Sequence, residues 1–112
     1  MIRIKRVYEP GKASDGYRVL VDRVWPRGIR RDAVDDWMKD IAPSATLRKW
    51  FNHEPEKWEA FRSRYIDELT ENGDLLVTLK ALEEVHGTLT LLFGARDTER
   101  NQAVVLQELL SK

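Results

Sequence analysis

The chain has 112 residues, 42% apolar and 34% charged, with only six glycines and four prolines, so it suits one domain with a buried core and is neither collagen-like nor disordered. It has no cysteine, which excludes disulfides, thiolate catalysis and cysteine-zinc sites and fits a cytosolic compartment, and no run reaches the ~18 apolar residues of a membrane span. Nineteen basic and nineteen acidic residues cancel, so the overall basic signature of a nucleic-acid binder is missing.

Ile2–Tyr8 alternates Ile2 and Ile4 with Arg3 and Lys5, the period of a half-exposed strand at a sheet edge. Residues 9–16 are turn chemistry. Tyr17–Val24 follows, and its consecutive Val19, Leu20 and Val21 predict a strand buried on both faces. Trp25-Pro26 ends it, with Pro26 and Gly28 suited to the second and fourth positions of a type I turn. Residues 33–42 fit either a helix (Val34, Trp37, Met38, Ile41) or a short strand (Trp37, Lys39, Ile41).

Ser44 reads as the cap of a helix carrying Leu47, Trp50 and Phe51. Pro55 opens another, with the stripe Trp58, Phe61, Tyr65 and Leu69, ending at Asn72-Gly73. Asp74 can cap a third, with Leu75, Leu76, Leu79, Leu82 and Val85 inward. Thr88–Phe93 is a second buried strand, and Glu99–Leu110 a final helix capped by Asp97 or Thr98. The order predicts one α/β domain over residues 1–112: a small, mostly parallel sheet of about four strands with helices packed on it.

The glycines form no dinucleotide or phosphate-loop fingerprint, and two histidines cannot make a histidine-rich metal site, so neither cofactor nor metal is expected. In open α/β sheets ligands bind beyond the carboxyl ends of the strands. There the second strand gives way to Asp22, Arg23, Trp25 and Arg27, and the second buried strand to Gly94-Ala95-Arg96-Asp97. Charges so near a buried strand need partners. Asp22 either forms a structural ion pair with Arg48 or Arg27, or acts as an acid, base or orienting group beside cations that hold an anion. His53, in the helix-breaking stretch 51–55, is either a turn residue or an acid/base candidate. Asp97 either caps the last helix or joins an anion-binding loop. The four tryptophans read as core or core rim. Residues 1–31 hold nine Lys and Arg against Glu9, Asp15 and Asp22, either a solvated basic edge or an anion-binding face.

The blocks SDGYRVLVDRVWPRG (14–28), APSATLRKWFNHEP (42–55) with Trp58, Phe61 and Tyr65, and TLLFGARD (90–97) with Asn101 and Ala103 resemble the domain-of-unknown-function family 488, in its YeaO-like branch. The resemblance spans Ile4 to Leu110. It implies a small cytosolic α/β protein of bacterial or archaeal type and favours a strand over 37–41. Broader members carry cysteines at and after the last strand, ending in Cys-His-Arg, where this chain has Phe93, Asn101, Gln102 and Ala103; any thiol chemistry is therefore lost here. The polar family positions are Asp15, Arg18, Asp22, Arg23, Arg27, Ser44, Arg48, His53, Asp97 and Asn101, with no catalytic assignment for any.

The resulting expectation is an enzyme or small-molecule binder for an anionic metabolite or nucleotide. Asp22 and His53 are its catalytic candidates, and Arg18, Arg23, Arg27, Ser44, Arg48, Asp97 and Asn101 its anion-binding set. The alternatives are a protein-interaction or regulatory subunit, or a weak, phosphate-led nucleic-acid module; the helices lack the basic character that the last would need.

Overall fold

The computed structural model describes residues 1–112. Strands β1 (Ile2–Arg6), β2 (Tyr17–Leu20), β3 (Asp36–Trp37) and β4 (Leu89–Phe93) form one sheet in the order β1-β4-β2-β3, with every pair parallel. The helices are α1 (Ala45–Phe51), α2 (Trp58–Glu71), α3 (Gly73–His86) and α4 (Gln102–Leu110). The α/β reading from periodicity holds. The two apolar strands lie side by side, Val19 opposite Leu91 and Leu20 opposite Leu92, and Val21 N–H continues the ladder to Leu92 O at 3.0 Å.

Residues 33–42 take neither simple alternative. A 3₁₀ turn at Arg31–Ala33, the two-residue β3 and a second 3₁₀ turn at Lys39–Ile41 divide them. The turn after β2 is shifted by one residue: Ile29 N–H bonds Pro26 O at 3.4 Å, and Gly28, at φ 80°, fills the third position as in a type II turn.

Alternation along β4 sorts the core into two unequal faces. Leu89, Leu91 and Phe93 join Val19, Val21 and residues of all four helices in a cluster of 17 buried side chains. On the other face Leu92, Leu20 and Val7 form a cluster of three, covered by Trp25, Ile29, Val34 and Trp37 from the β2–β3 connection. Parallel sheets commonly carry helices on both faces. Here that second cover is a loop, because the β2–β3 connection contains no α-helix.

Beside this small cluster lies a polar layer. Asp15, 4% exposed, accepts from Lys5 Nζ at 3.1 Å and from Arg18 Nη1, while Arg18 Nε donates to Ala33 O at 3.0 Å. Thr90, also buried, donates its hydroxyl to Asp15 O at 2.6 Å.

Ser44 caps α1 as its sequence predicts, its Oγ accepting from Leu47 N–H at 3.1 Å. The stripe of α2 is buried at Phe61, Tyr65 and Leu69, whereas Trp58 reaches only the core rim. Helix α3 starts at Gly73, which places Asn72 at the cap and Asp74 in the first turn. Val85, expected inward, is exposed; on α3 only Leu79 is fully buried. Helix α4 starts three residues later than expected. Its cap is Asn101, which accepts from Val104 N–H at 3.1 Å, and not Asp97 or Thr98.

Candidate functional site

Beyond the carboxyl ends of β2 and β4 is a cleft of about 260 Å³, walled by the loops after both strands, α1, the 51–53 turn and the start of α4. Asp22 lines it. Its Oδ2 accepts from Gly94 N–H at 2.9 Å, and its Oδ1 accepts from the side-chain amide of Gln102. Trp37 Nε1 donates to Asp22 O at 2.7 Å and fixes the backbone from the opposite face. Partial burial pushes the Asp22 carboxyl above its ordinary pKa; the bonds from Gly94 and Gln102 and the nearby charge of Arg48 act the other way. Asp22 has no ion-pair partner, so amide N–H groups hold it rather than Arg48 or Arg27.

Around this carboxylate stand Arg23, Arg48, His53, Arg100 and Asn101, with Val24, Ala42, Pro43, Phe51, Phe61 and Ala95 as apolar wall. Arg23 is half-buried and clamps the far rim, donating to Pro43 O at 3.0 Å and to Ala42 O at 3.1 Å. The same rim is held from below by Tyr65, whose hydroxyl donates to Ile41 O at 2.7 Å. Arg48, in the last turn of α1, has no ion pair or side-chain hydrogen bond within the chain. His53 and Asn52 both have positive φ, 55° and 47°. That left-handed pair turns the chain after α1 and carries the exposed His53 to the mouth of the cleft.

Asp22, Arg23, Arg48, His53 and Asn101 thus share one hollow, and four other expected positions lie outside it. Arg18 is buried against Asp15. Arg27 is exposed on the turn after β2, with its carbonyl accepting from the Tyr8 hydroxyl at 3.2 Å. Ser44 bonds Glu68 through both its N–H, at 2.9 Å, and its hydroxyl, at 2.7 Å. Asp97 folds the turn before α4: Glu99 and Arg100 N–H groups and the Arg100 side chain all donate to it, which holds its pKa low.

Two polar lining residues, Arg100 and Gln102, are outside the sequence reading, and a third, Gly94, is in it by position only. Gly94 had only its place after a buried strand as a signal. Gln102 and Arg100 were hidden by the misplaced start of α4. The basic surplus of residues 1–31 is divided: Lys5, Arg6, Arg18 and Arg23 are partly or fully buried, Arg6 donating to Gly94 O and Ala95 O at 3.1 and 3.0 Å, whereas Arg3, Lys12, Arg27, Arg30 and Arg31 are exposed, Arg30 pairing with Asp32 and Arg31 lying over the Trp25 ring. No group of three or more His, Asp or Glu side chains is placed to hold a metal ion, and no helix is long and apolar enough to cross a membrane.

A parallel four-stranded sheet, helices on one face and a polar cleft at its carboxyl edge define a small α/β domain. The family model described as "Inactive DUF488-N3 subclade" matches residues 1–112. The chain belongs to the DUF488 family, on its YeaO-like side. It is 44% identical to "Uncharacterized protein YeaO" of Escherichia coli (strain K12), over 97% of this chain and 96% of that protein. It is 43% identical to "Uncharacterized protein Rv3073c" of Mycobacterium tuberculosis (strain ATCC 25618 / H37Rv), over 98% of this chain and 93% of that protein. No solved structure gives a significant match.

Proposed function

We propose that the cleft binds a small anionic metabolite and that the domain acts as a binding module rather than a catalyst. The observation that carries this is Arg48, a guanidinium on the cleft wall with every donor free of the chain, flanked by Arg23 and Arg100. A planar fork of this kind suits carboxylate or phosphate. The volume lies just under the ~300–1,000 Å³ of ordinary small-molecule pockets, which favours a compact ligand.

Two features favour binding over turnover. The lining has no Ser, Thr, Tyr, Lys or Cys to serve as a nucleophile, and Asp22 is tied by two amide donors. The word "Inactive" in the family description agrees with this reading. The nucleic-acid alternative draws little support, since none of the exposed N-terminal cations, Arg3, Lys12, Arg27, Arg30 and Arg31, lies on an α-helix that could enter a groove.

A thermal-shift screen against orthophosphate, nucleotides and small carboxylates tests the proposal. Ligand at 100 times Kd adds about 2.7 kcal/mol of stability. Arg48→Gln removes the shift, and Arg27→Ala, outside the cleft, leaves it intact. Retention of the shift in Arg48→Gln, or no shift with any anion, rejects the site.

A further inference from the structure

Of the four charged residues that line the cleft, Arg23 and Arg100 have partners elsewhere in the chain, whereas Asp22 and Arg48 are in no ion pair. Arg48 is near enough to act on the Asp22 carboxyl, yet no ion pair joins them. The in-chain donors to Asp22 are neutral, one on each oxygen: Gly94 N–H and the Gln102 amide. An ionised carboxylate offers roughly four acceptor sites. It therefore keeps acceptor capacity and a negative charge that no cation contacts directly. Arg48 keeps all of its donors.

A bare oxyanion satisfies only the Arg48 side and brings like charge toward Asp22. A ligand with a cationic donor a short distance from its acid group satisfies both, because hydrogen bonds between ionised partners are about twice as strong as neutral ones. The rest of the wall is mixed: Arg23 and Arg100 are engaged with Pro43 O, Ala42 O and Asp97, and the buried Phe51 and Phe61 with Ala95 supply an apolar, aromatic part. We infer that the ligand is a small amino-acid zwitterion, its ammonium donating to Asp22, its carboxylate held by Arg48 and its apolar side chain against Phe51 and Phe61. This rests on the anion-binding reading of the same cleft and narrows it.

Calorimetric titration of the full chain at neutral pH tests the inference. The probes are L-leucine and L-phenylalanine, their deaminated counterparts 4-methylpentanoate and 3-phenylpropanoate, and orthophosphate. The amino acids should bind about tenfold or more tightly than the deaminated acids. Asp22→Asn, whose side-chain oxygen can still accept from Gly94, should abolish that preference, with the deaminated acids bound at least as tightly as by the wild type because a like charge is removed. Arg48→Gln should weaken both series. Equal affinity of the two series for the wild type, or a preference that survives Asp22→Asn, overturns the zwitterion while leaving the anion site standing. Binding of orthophosphate alone does the same. If no probe binds, both readings fall.

Discussion

Asp22 and Gly94 stand just past the ends of adjacent parallel strands, so close that a side chain at position 94 would have to push the Asp22 carboxylate aside. The Gly94 N–H reaches Asp22 Oδ2 at 2.9 Å, and a Cβ on residue 94 would lie 2.8 Å from that same oxygen. Gly94 is also held at its carbonyl by Arg6, which comes from the edge strand β1. Gly94→Ala should therefore displace the carboxylate from both amide donors. The expected cost is about 1–3 kcal/mol by urea unfolding, with loss of ligand binding. A variant as stable as the wild type and still binding would show that the approach has slack.

Asp22 also sets a pH dependence. Its pKa is raised by burial, so the native state holds the proton more tightly than the unfolded chain does. The stability it contributes is complete below the unfolded carboxylate value and is lost as pH rises through the higher folded one. Asp22→Asn escapes that loss. Its melting temperature should equal or exceed that of the wild type at neutral pH, with the gap closing in acid. A variant clearly less stable at neutral pH would mean that the ionised form is favoured by the fold.

The buried carboxylate on the other face behaves oppositely. Burial is the largest single influence on Asp15 and opposes its ionisation. The Lys12 N–H and the Lys5 and Arg18 side chains together outweigh it and hold the pKa below the ordinary value. Its stabilisation is present above the unfolded pKa of ~3.9 and is lost as pH falls through the folded value. Asp15→Asn strands two mostly buried cations and should cost about 3–5 kcal/mol at neutral pH. Denaturation curves of variant and wild type should converge in strong acid; a constant offset there would contradict the ion-pair origin.

His53 separates stability from binding. Its φ of 55° is one that glycine adopts freely. His53→Gly should change unfolding free energy by less than about 1 kcal/mol, because relief of the left-handed backbone offsets the added chain entropy. Ligand affinity should fall if the imidazole contacts the ligand at the mouth of the cleft. Unchanged affinity would mark His53 as a turn residue only.

The consecutive apolar runs of β2 and β4 were enough to predict their burial, and the prediction placed Asp22 and Gly94 at one sheet edge. Ser44 was legible because a cap acts within its own turn. The start of α4 was not: Asp97 and Asn101 are both good caps in isolation. In the structure Asp97 is occupied by Glu99 and Arg100 N–H groups, and Gln102 is drawn to Asp22, a partner far away in the chain. Arg18 misled for a related reason. Strand alternation shows that it shares a face with Leu20, but only the folded 12–16 turn brings Asp15 to it. Val85 fits the helical period of α3 and is nevertheless exposed.

The loop that covers the sheet opposite the helices has a dynamic consequence. Its small cluster, Val7, Leu20 and Leu92, is sealed by Trp25, Ile29, Val34 and Trp37 alone, whereas seventeen side chains secure the helical side. Residues 24–37 should therefore open more readily than the helical side, and their amides should exchange with solvent before those of β4. Trp37 is hydrogen-bonded to the Asp22 carbonyl; each such excursion frees the backbone that aims the carboxylate, and occupancy of the cleft should slow exchange on the far side of the sheet.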